Sequence, residues 1–335
     1  MSLAAPPPIG LLPGPRRVVA LCGGIGGAKL AVGLDAVLAP GTLTIVVNTG
    51  DDFEHLGLHV CPDLDTVMYT LAGVADPIRG WGRSDESWHF MDALRQLGGE
   101  DWFSLGDRDL ATHVERTRRL RAGETLTTIV TDMARRLGVG SRILPMTDDP
   151  VRTIVHTIEG PLPFQEYFVR RRCAPAATKI TFAGAANASV TSQVTDALAD
   201  PCLDAIVICP SNPYLSIDPM LALPGLRPQL QQSHAPVVAV SPVIGGAAVK
   251  GPTAKLMGEF GIRVDTAAIT DHYRGVIDGL VIDDSDAADA HGVGVPVAMT
   301  HTLMQSIEDR RQLAHAVLQF ANRIRRERTP TGRAT

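Results

Sequence analysis

Several features that identify common classes of protein are missing from this sequence. Its 335 residues hold no apolar run close to the ~20 residues that a membrane span needs. The five cysteines are odd in number and form no Cys-x-x-Cys pair, which favours a reducing cytosol. The net charge of −5 gives no overall basic bias toward nucleic acid or a membrane surface. We therefore expect a cytoplasmic protein that binds neither nucleic acid nor a membrane.

A secretory signal is also missing from the start of the chain. Residues 1–15 are rich in proline and have neither a basic nor a continuous apolar region. We expect 1–15 to be a disordered lead-in and 329–335 to fray. Hydrophobic residues make up 45% of the chain, enough for a sizeable core. We expect a single α/β domain over 16–328, with 76–175 as an inserted cap region.

Motifs for covalent or zinc catalysis are missing as well. The chain has no G-x-S-x-G, no H-E-x-x-H and no convincing Ser/His/Asp spacing. It has instead an apolar run, VVALC, that leads directly into the glycine-rich turn GGIGGAK and then into a helical pattern. Strand, glycine turn and helix together form the arrangement that cradles phosphate, because glycines admit an anion to the backbone and the helix N-terminus favours it.

The glycine turn matches no standard fingerprint completely. A dinucleotide site needs a third glycine where Lys29 stands, and a P-loop needs a glycine at Ala28 and a hydroxyl residue at Leu30. The alternative is a tight strand-to-helix turn without a ligand. We interpret Gly24, Gly26, Gly27 and Lys29 as a phosphate site.

Strands and helices alternate along much of the chain. This pattern predicts a Rossmann-like, doubly wound and mostly parallel sheet, with a helical and mixed insertion over its active-site edge. Predicted helices lie at 110–120 and 126–137. Predicted strands include 42–47, 143–146, 154–158, 164–169, 205–209, 237–240 and 279–282.

Polar side chains follow several of these strands. Ligands in parallel sheets bind beyond the carboxyl ends of strands, so these loops should meet. Asp51 and Asp52 follow the second strand, and Asp65 lies on the next loop; such carboxylates can hold Mg²⁺ together with phosphate oxygens. Helix capping and solvated turns are the alternatives. Asn48, Ser211, Asn212 and Ser241 stand at strand ends, where Ser211 and Asn212 are suited to bind a base or ribose.

A set of motifs in order resembles the CofD family, the 2-phospho-L-lactate transferases of coenzyme F420 biosynthesis. The resemblance covers about residues 18–300. The motifs are GGIGGAK, NTGDD, CPDLDTVMYTL, WFSLGDRDLATH, ILPMTDDPV, FQEYFVRRR, PSNPYLSI and SPVIGGAAVKGP.

The resemblance implies a Mg²⁺-dependent transferase that is usually a homodimer. Such enzymes move a phospho-three-carbon acid from a GMP-activated diphosphate donor to the hydroxyl of the deazaflavin FO, which releases GMP and yields F420-0 or its dehydro form. The acid is 2-phospholactate, phosphoenolpyruvate or 3-phosphoglycerate. By the family pattern, Asp65 and Ser104 approach the deazaflavin. The alternative is a nucleotide-sugar-binding regulatory protein similar to the YvcK type; an NAD-dependent oxidoreductase is disfavoured by the incomplete fingerprint.

The predicted mechanism is direct attack of the FO hydroxyl on phosphorus, because the motifs contain no nucleophile with an adjacent base. The alcohol needs a proton acceptor, for which Asp65 is the first candidate and Asp63 the second. Arg108 and Lys29 are expected to stabilise the charge on the phosphates.

Overall fold

The structure is a computed structural model that describes residues 16–248, 251–291 and 293–328. The predicted lead-in and the predicted frayed end, 1–15 and 329–335, lie outside the described residues. Within the described ranges, no helix is long and apolar enough to cross a membrane.

Short strands alternate with helices through most of the described chain. The strands are β1 (Arg17–Cys22), β2 (Leu43–Val47), β3 (Phe53–His55), β4 (Leu58–Val60), β5 (Arg142–Pro145), β6 (Arg152–Thr157), β7 (Gly160–Pro163), β8 (Ala177–Ala183), β9 (Leu203–Ile208), β10 (Val237–Val240), β11 (Val243–Ile244), β12 (Ala247–Ala248), β13 (Gly279–Asp283) and β14 (Val297–Thr300). The α-helices are α1 (Gly24–Val37), α2 (Pro62–Leu71), α3 (His89–Gln96), α4 (Asp107–Arg121), α5 (Leu126–Arg136), α6 (Ser192–Leu198), α7 (Asp218–Leu221), α8 (Leu226–Gln231), α9 (Thr253–Glu259), α10 (Thr266–His272) and α11 (Ile307–Arg328).

The central sheet has seven strands in the order β14-β13-β10-β9-β1-β2-β5, and every neighbouring pair is parallel. From β1 the chain adds β2 and β5 on one side, and later β9, β10, β13 and β14 on the other. The order therefore reverses between β1 and β9, which is where doubly wound sheets bind ligands. The predicted fold class is confirmed.

The sheet is buried on both faces, as its continuous apolar strands predicted. In β1, Val18, Ala20 and Cys22 face one layer of core, while Val19 and Leu21 face the other. The first layer includes α1, α2 and α11, and the second includes α7 and α8. Because both faces are covered, a ligand can reach the strands only at their ends.

The segment 76–175 contributes to two different parts of the fold. Its predicted helices appear as α4 and α5, with ends shifted by up to three residues. Its strand β5 pairs with β2 at the edge of the central sheet, so the segment is not wholly outside that sheet. The remaining strands of the segment, β6 and β7, form a separate three-stranded antiparallel sheet with β8.

The strand predicted at 164–169 is wrong. The strand β7 ends at Pro163, and Glu166–Arg170 forms a π-helical turn. Phe164 and Phe168 stack with 5.3 Å between their ring centroids, a contact four residues apart that a strand does not make. The apolar residues of this stretch therefore follow a helical period rather than strand alternation. A second π-helical turn, Pro213–Ile217, follows β9.

Candidate functional site

A cavity of about 600 Å³ lies beyond the carboxyl ends of the central strands. It spans the switch point between β1 and β9, and the segment 76–175 covers one of its ends. Polar lining residues come from the loops after β1, β2, β9 and β10, and from the stretch that follows β14. Of the predicted site residues, those that line the cavity are Gly24, Gly26, Lys29, Asp51, Asp63, Asp65, Ser104, Ser211, Asn212 and Ser241.

The glycines after β1 have different roles. A Cβ at Gly26 would overlap the carbonyl oxygen of Pro210, and one at Gly27 would approach the hydroxyl of Ser211 at 2.5 Å. These two glycines therefore allow the β1 and β9 loops to touch across the switch point. Gly27 is not among the lining residues. Gly24 has φ +62°, lines the cavity and has only the Asp63 carboxylate near the place of a Cβ, and its N–H donates to that carboxylate.

Lys29 lies one helical turn beyond the glycines and faces the cavity. Its Nζ donates a hydrogen bond of 2.8 Å to the carbonyl oxygen of Met304. This contact holds the ammonium group beside the start of α1, where the positive end of the helix dipole already favours an anion. The predicted phosphate site thus has both of its components at one place.

Asp63 occupies the centre of the site rather than its margin. Its carboxylate accepts hydrogen bonds from the backbone N–H of Gly24 at 2.8 Å and from Nδ2 of Asn48 at 3.0 Å. Burial raises the pKa of Asp63 to about 6, although both hydrogen bonds oppose that rise. Asn48 itself is fully buried and does not line the cavity. The predicted Asn48 therefore acts through Asp63.

Asp51 lies in the same buried region. Burial raises its pKa well above the ordinary range, and the negative charge of Asp63 raises it further, while the nearby polar groups of Asn48 and Thr153 oppose the rise in pKa. Its Oδ1 is buried and has no hydrogen-bond partner among the described residues. Two buried carboxylates without a compensating cation are the arrangement that a divalent cation stabilises. The residues present thus fit Mg²⁺.

Asp52 faces away from the cavity. Its Oδ2 lies 3.5 Å from Nε2 of His59, and its carboxylate clusters with the buried thiol of Cys61. Ligand atoms of the predicted set Asp51, Asp52 and Asp65 do not converge as a single cluster within the described part of the chain. The tertiary structure instead places Asp63 beside Asp51.

Asp65 belongs to a buried network of charges. Arg116, which is fully buried, donates hydrogen bonds from both terminal nitrogens to the two carboxylate oxygens of Asp65. His113 lies 3.7 Å from Asp65 and 3.4 Å from Asp109, and Tyr69 donates a hydrogen bond to Asp109. Sequence reasoning missed Arg116, because α4 brings it to Asp65 across 51 residues of sequence. Arg116 fixes both oxygens of Asp65 in position.

Arg108 is not brought to the cavity. Its side chain is exposed and forms an ion pair with Asp85 at the surface. It lies at the start of α4, whose N-terminal N–H groups are capped by Glu86. Ser104, four residues earlier, does line the cavity. Of these two predicted site residues, Ser104 therefore lies at the cavity and Arg108 lies at the surface.

The loop after β9 supplies hydrogen-bonding groups to the cavity. Ser211 Oγ bonds to both the N–H and the carbonyl of Gly23, so it is fully used in joining the two loops. Asn212 Oδ1 caps the π-helical turn by accepting from Tyr214 and Leu215, while its Nδ2 is buried without an acceptor among the described residues. Asn212 is therefore the predicted residue with a donor left for a ligand.

Ser241 stands at the next strand end of the sheet and is buried at the cavity wall. Its Oγ exchanges hydrogen bonds with the backbone of Val243, which tightens the turn after β10. The predicted Ser241 therefore contributes to the shape of this wall.

The opposite end of the cavity is aromatic, and sequence reasoning did not find it. Trp102 and Phe103 pack with Phe53 and His55 from the β3–β4 hairpin, at centroid distances of 4.8–6.1 Å. Trp81, Phe164 and Phe168 line the same end. A planar ligand can stack on such side chains. The concentration of all three tryptophans in 76–175 was the available signal.

The cavity therefore has three parts along the sheet edge. Hydrogen-bonding groups lie beside β9 and β10, the glycine turn with Lys29 and the paired carboxylates lies at β1, and aromatic side chains lie beyond α2. This order fits two substrates that meet at a phosphate.

Comparison with known proteins supports the same interpretation. The family model for 2-phospho-L-lactate transferase CofD matches residues 18–307. The chain is similar to a phosphoenolpyruvate transferase of Streptomyces coelicolor, with 39% identity over 318 residues, covering 92% of this chain and 99% of that protein. It is also similar to a phosphoenolpyruvate transferase of Mycobacterium tuberculosis, with 41% identity over 313 residues, covering 85% of this chain and 94% of that protein.

A solved structure shares the fold at low sequence identity. The crystal structure of a member of the UPF0052 family from Bacillus halodurans has a TM-score of 0.61 and 14% identity, and the match covers 91% of this chain and 99% of that one. This likeness concerns the fold alone. The family model and the similar transferases together establish that the chain belongs to the CofD family of transferases.

Proposed function

We propose that this protein transfers a phosphoenolpyruvate group from a GMP-activated diphosphate donor to the hydroxyl of the deazaflavin FO, giving dehydro-F420-0 and GMP. The observation that carries the proposal is the three-part cavity, in which a phosphate cradle separates a polar end from an aromatic end. The similar proteins are phosphoenolpyruvate transferases, which favours phosphoenolpyruvate over 2-phospholactate and 3-phosphoglycerate.

The donor fits the polar half of the cavity. We place the guanosine against Asn212, whose Nδ2 has an unused hydrogen, with Ser211 and Ser241 shaping the wall. The diphosphate then lies on the backbone of Gly24 and near Lys29, where the helix N-terminus and the ammonium group favour negative charge. GMP leaves toward the polar end.

The paired carboxylates of Asp51 and Asp63 are the residues that would hold Mg²⁺. Asp51 Oδ1 has no partner among the described residues, and both groups carry raised pKa values. When bound, the ion supplies positive charge that offsets the diphosphate and the attacking oxygen. Asn48 and the Gly24 N–H orient Asp63 for that task.

The acceptor fits the aromatic half. The deazaflavin ring would stack among Trp81, Trp102 and Phe103, with Ser104 at its edge and its hydroxyl directed at the donor phosphorus. Asp65 is the proposed proton acceptor. Burial raises its pKa, while Arg116 and His113 lower it, so the carboxylate keeps basicity in a fixed orientation. Direct transfer follows, without a covalent enzyme intermediate.

The test is transfer by the purified protein. Protein, Mg²⁺ and FO are incubated with GMP joined to phosphoenolpyruvate, 2-phospholactate or 3-phosphoglycerate, and products are identified by mass spectrometry. We expect dehydro-F420-0 and GMP from the phosphoenolpyruvate donor, and loss of both with Asp65→Asn. No product from any donor, with binding of a UDP-sugar instead, would favour the regulatory alternative. Radiolabelled donor without FO should leave no stoichiometric label on denatured protein.

A further inference from the structure

A short loop delivers an arginine to the cavity that neither the motifs nor the proposed roles include. The loop between α2 and α3 is closed by a bridge between Ala75 and Arg83 and by a hydrogen bond of 2.8 Å from Ser84 N to Val74 O. Inside it, Gly80 N donates to the carbonyl of Asp76 at 2.9 Å. The loop is therefore internally bonded.

Arg79, within this loop, is held from several sides. Its Nε and Nη2 donate to Oδ2 of Asp76 at 2.8 and 2.7 Å. Its guanidinium lies 5.5 Å from the ring centroid of Trp81 and 4.8 Å from that of Trp88, within cation–π range. Asp76 in turn accepts the backbone N–H groups of Ile78 and Arg79. The guanidinium is pre-organised before any ligand binds.

One edge of this guanidinium is still available. Among the described residues, none accepts a hydrogen bond from Nη1, and the Arg79 side chain, 32% exposed, lines the cavity. A guanidinium presents its donors in a planar fork that matches a carboxylate better than an ammonium does. Arg79 can therefore donate hydrogen bonds to a planar anion such as a carboxylate.

The charges around the cavity show why a substrate carboxylate needs a cation there. Asp51, Asp63, Asp65 and Asp109 line it, so a substrate carboxylate is repelled over most of the surface. Lys29, the cation of the glycine turn, is bonded to Met304, which follows β14 at the far side of the sheet order.

Arg79 follows α2, and Lys29 and Arg79 are the two lysine or arginine side chains among the described residues that line the cavity. In the proposed donor, the three-carbon acid is attached to the phosphorus that undergoes attack, beyond the diphosphate as seen from the guanosine. With Lys29 beside the diphosphate, Arg79 is the lining cation that would remain for the carboxylate of the acid.

We propose that Arg79 binds the carboxylate of the transferred three-carbon acid and so selects donors that carry one. The inference rests on the proposed function, since it concerns the donor of that reaction. The residue acts by binding and orientation, and Asp76 with the two indoles positions it.

The test compares the phosphoenolpyruvate donor with its carboxylate methyl ester, in wild type and in Arg79→Gln. For wild type we expect the ester to raise the donor KM by about ten- to hundredfold, the usual effect of one charged hydrogen-bonded pair. Arg79→Gln should raise the KM of the acid donor by a similar factor and remove the preference for acid over ester. GDP affinity should not change, and the KM for FO should change by a smaller factor than the KM of the acid donor, since Arg79 also contacts Trp81. Arg95→Gln, a surface arginine paired with Asp92 and Asp101, is the matched control and should retain the preference.

Arg79→Lys is the second variant, in case glutamine disturbs the loop. It keeps the charge and loses the fork, so we expect an acid preference between those of wild type and Arg79→Gln. An unchanged acid preference in a folded Arg79→Gln protein overturns the inference while leaving the transferase proposal intact. A rise in the KM for FO alone also overturns it, because Arg79 would then bind the acceptor. Absence of product from wild type with the acid donor defeats the transferase proposal itself.

Discussion

Replacing Asp63 with asparagine should make the metal-free protein more stable at pH 7.5 and inactive. Asp63 is buried, accepts two hydrogen bonds and has a pKa of about 6. Asparagine has nearly the shape of the protonated carboxyl group and cannot ionise, but its amide can accept only one of the two hydrogen bonds that Asp63 accepts. At every pH the variant therefore lacks the cost of ionising the buried carboxyl group and has lost one hydrogen bond.

The size of the effect follows from the shift in pKa. An aspartate in the unfolded chain has a pKa of about 3.9, so the folded state binds more protons between about pH 4 and 6, and wild-type stability falls as pH rises through that window. At about 1.4 kcal/mol per pKa unit, ionisation of Asp63 costs the wild type about 1.5 kcal/mol at pH 5 and about 3 kcal/mol at pH 7.5, and the hydrogen bond lost in the variant costs about 1 kcal/mol. Asp63→Asn should therefore have about the same free energy of unfolding as wild type at pH 5 and a free energy higher by about 2 kcal/mol at pH 7.5.

The assay is urea unfolding in the presence of a chelator at both pH values. Asp107→Asn is the matched control, because hydrogen bonds from Ser87 and from the backbone of Phe90 hold the pKa of Asp107 below its usual range. It should instead lower stability at pH 7.5, with a smaller effect at acidic pH. Added Mg²⁺ should stabilise the wild type more than Asp63→Asn.

The reasoning is refuted if Asp63→Asn is no more stable than wild type at pH 7.5 without metal. That result would mean that the carboxylate ionises there without a penalty, which removes the main argument for a cation beside Asp51. Full transferase activity in the variant would equally contradict the role of Asp63. The expected opposition of stability and activity is common where buried charge serves function.

Substitutions at three further positions test the site. Gly26→Ala should lower the unfolding free energy by about 1–3 kcal/mol in urea titrations, because the new methyl group meets the Pro210 carbonyl. Asn212→Asp keeps the capping oxygen but loses the unpaired donor, so GDP affinity measured by calorimetry should fall by about tenfold with little change in stability. Arg116→Met leaves the buried Asp65 without its cation and should cost about 3–5 kcal/mol by urea unfolding, whereas Arg116→Lys should recover part of it.

The glycine turn shows how far sequence reasoning reached and where it stopped. The turn was correctly predicted between β1 and α1, since apolar runs and glycines are local signals. The roles of the individual glycines were not predicted: a side chain at Gly26 or Gly27 would meet the loop after β9, and the Gly24 N–H donates to Asp63. Contacts with Pro210 and Ser211, almost two hundred residues away in the chain, decide this.

Asp63 and Asp65 also show that sequence predicts the position of a residue but not its partners. Spacing placed Asp63 and Asp65 in the first turn of α2, and the structure agrees. Two residues apart on a helix, they face different surroundings: Asp63 meets the Gly24 N–H, and Asp65 meets Arg116 on α4. A residue's helix position is local information, whereas its counter-ion is not. The predicted metal set included Asp65 and omitted Asp63 for that reason.

The homodimer, the cytoplasmic location and the division into one domain with a cap remain predictions from the sequence. The sequence by itself determined the parallel sheet, the turns at its strand ends and the family. Apolar periodicity, the positions of glycines and the order of motifs depend only on the order of residues along the chain. Tertiary structure decided which carboxylate keeps an unpaired oxygen, which cation faces the cavity and where the aromatic rings gather. Those properties depend on burial and on partners from distant segments. A side chain therefore acquires them only when the chain folds and the segment 76–175 packs over the edge of the sheet.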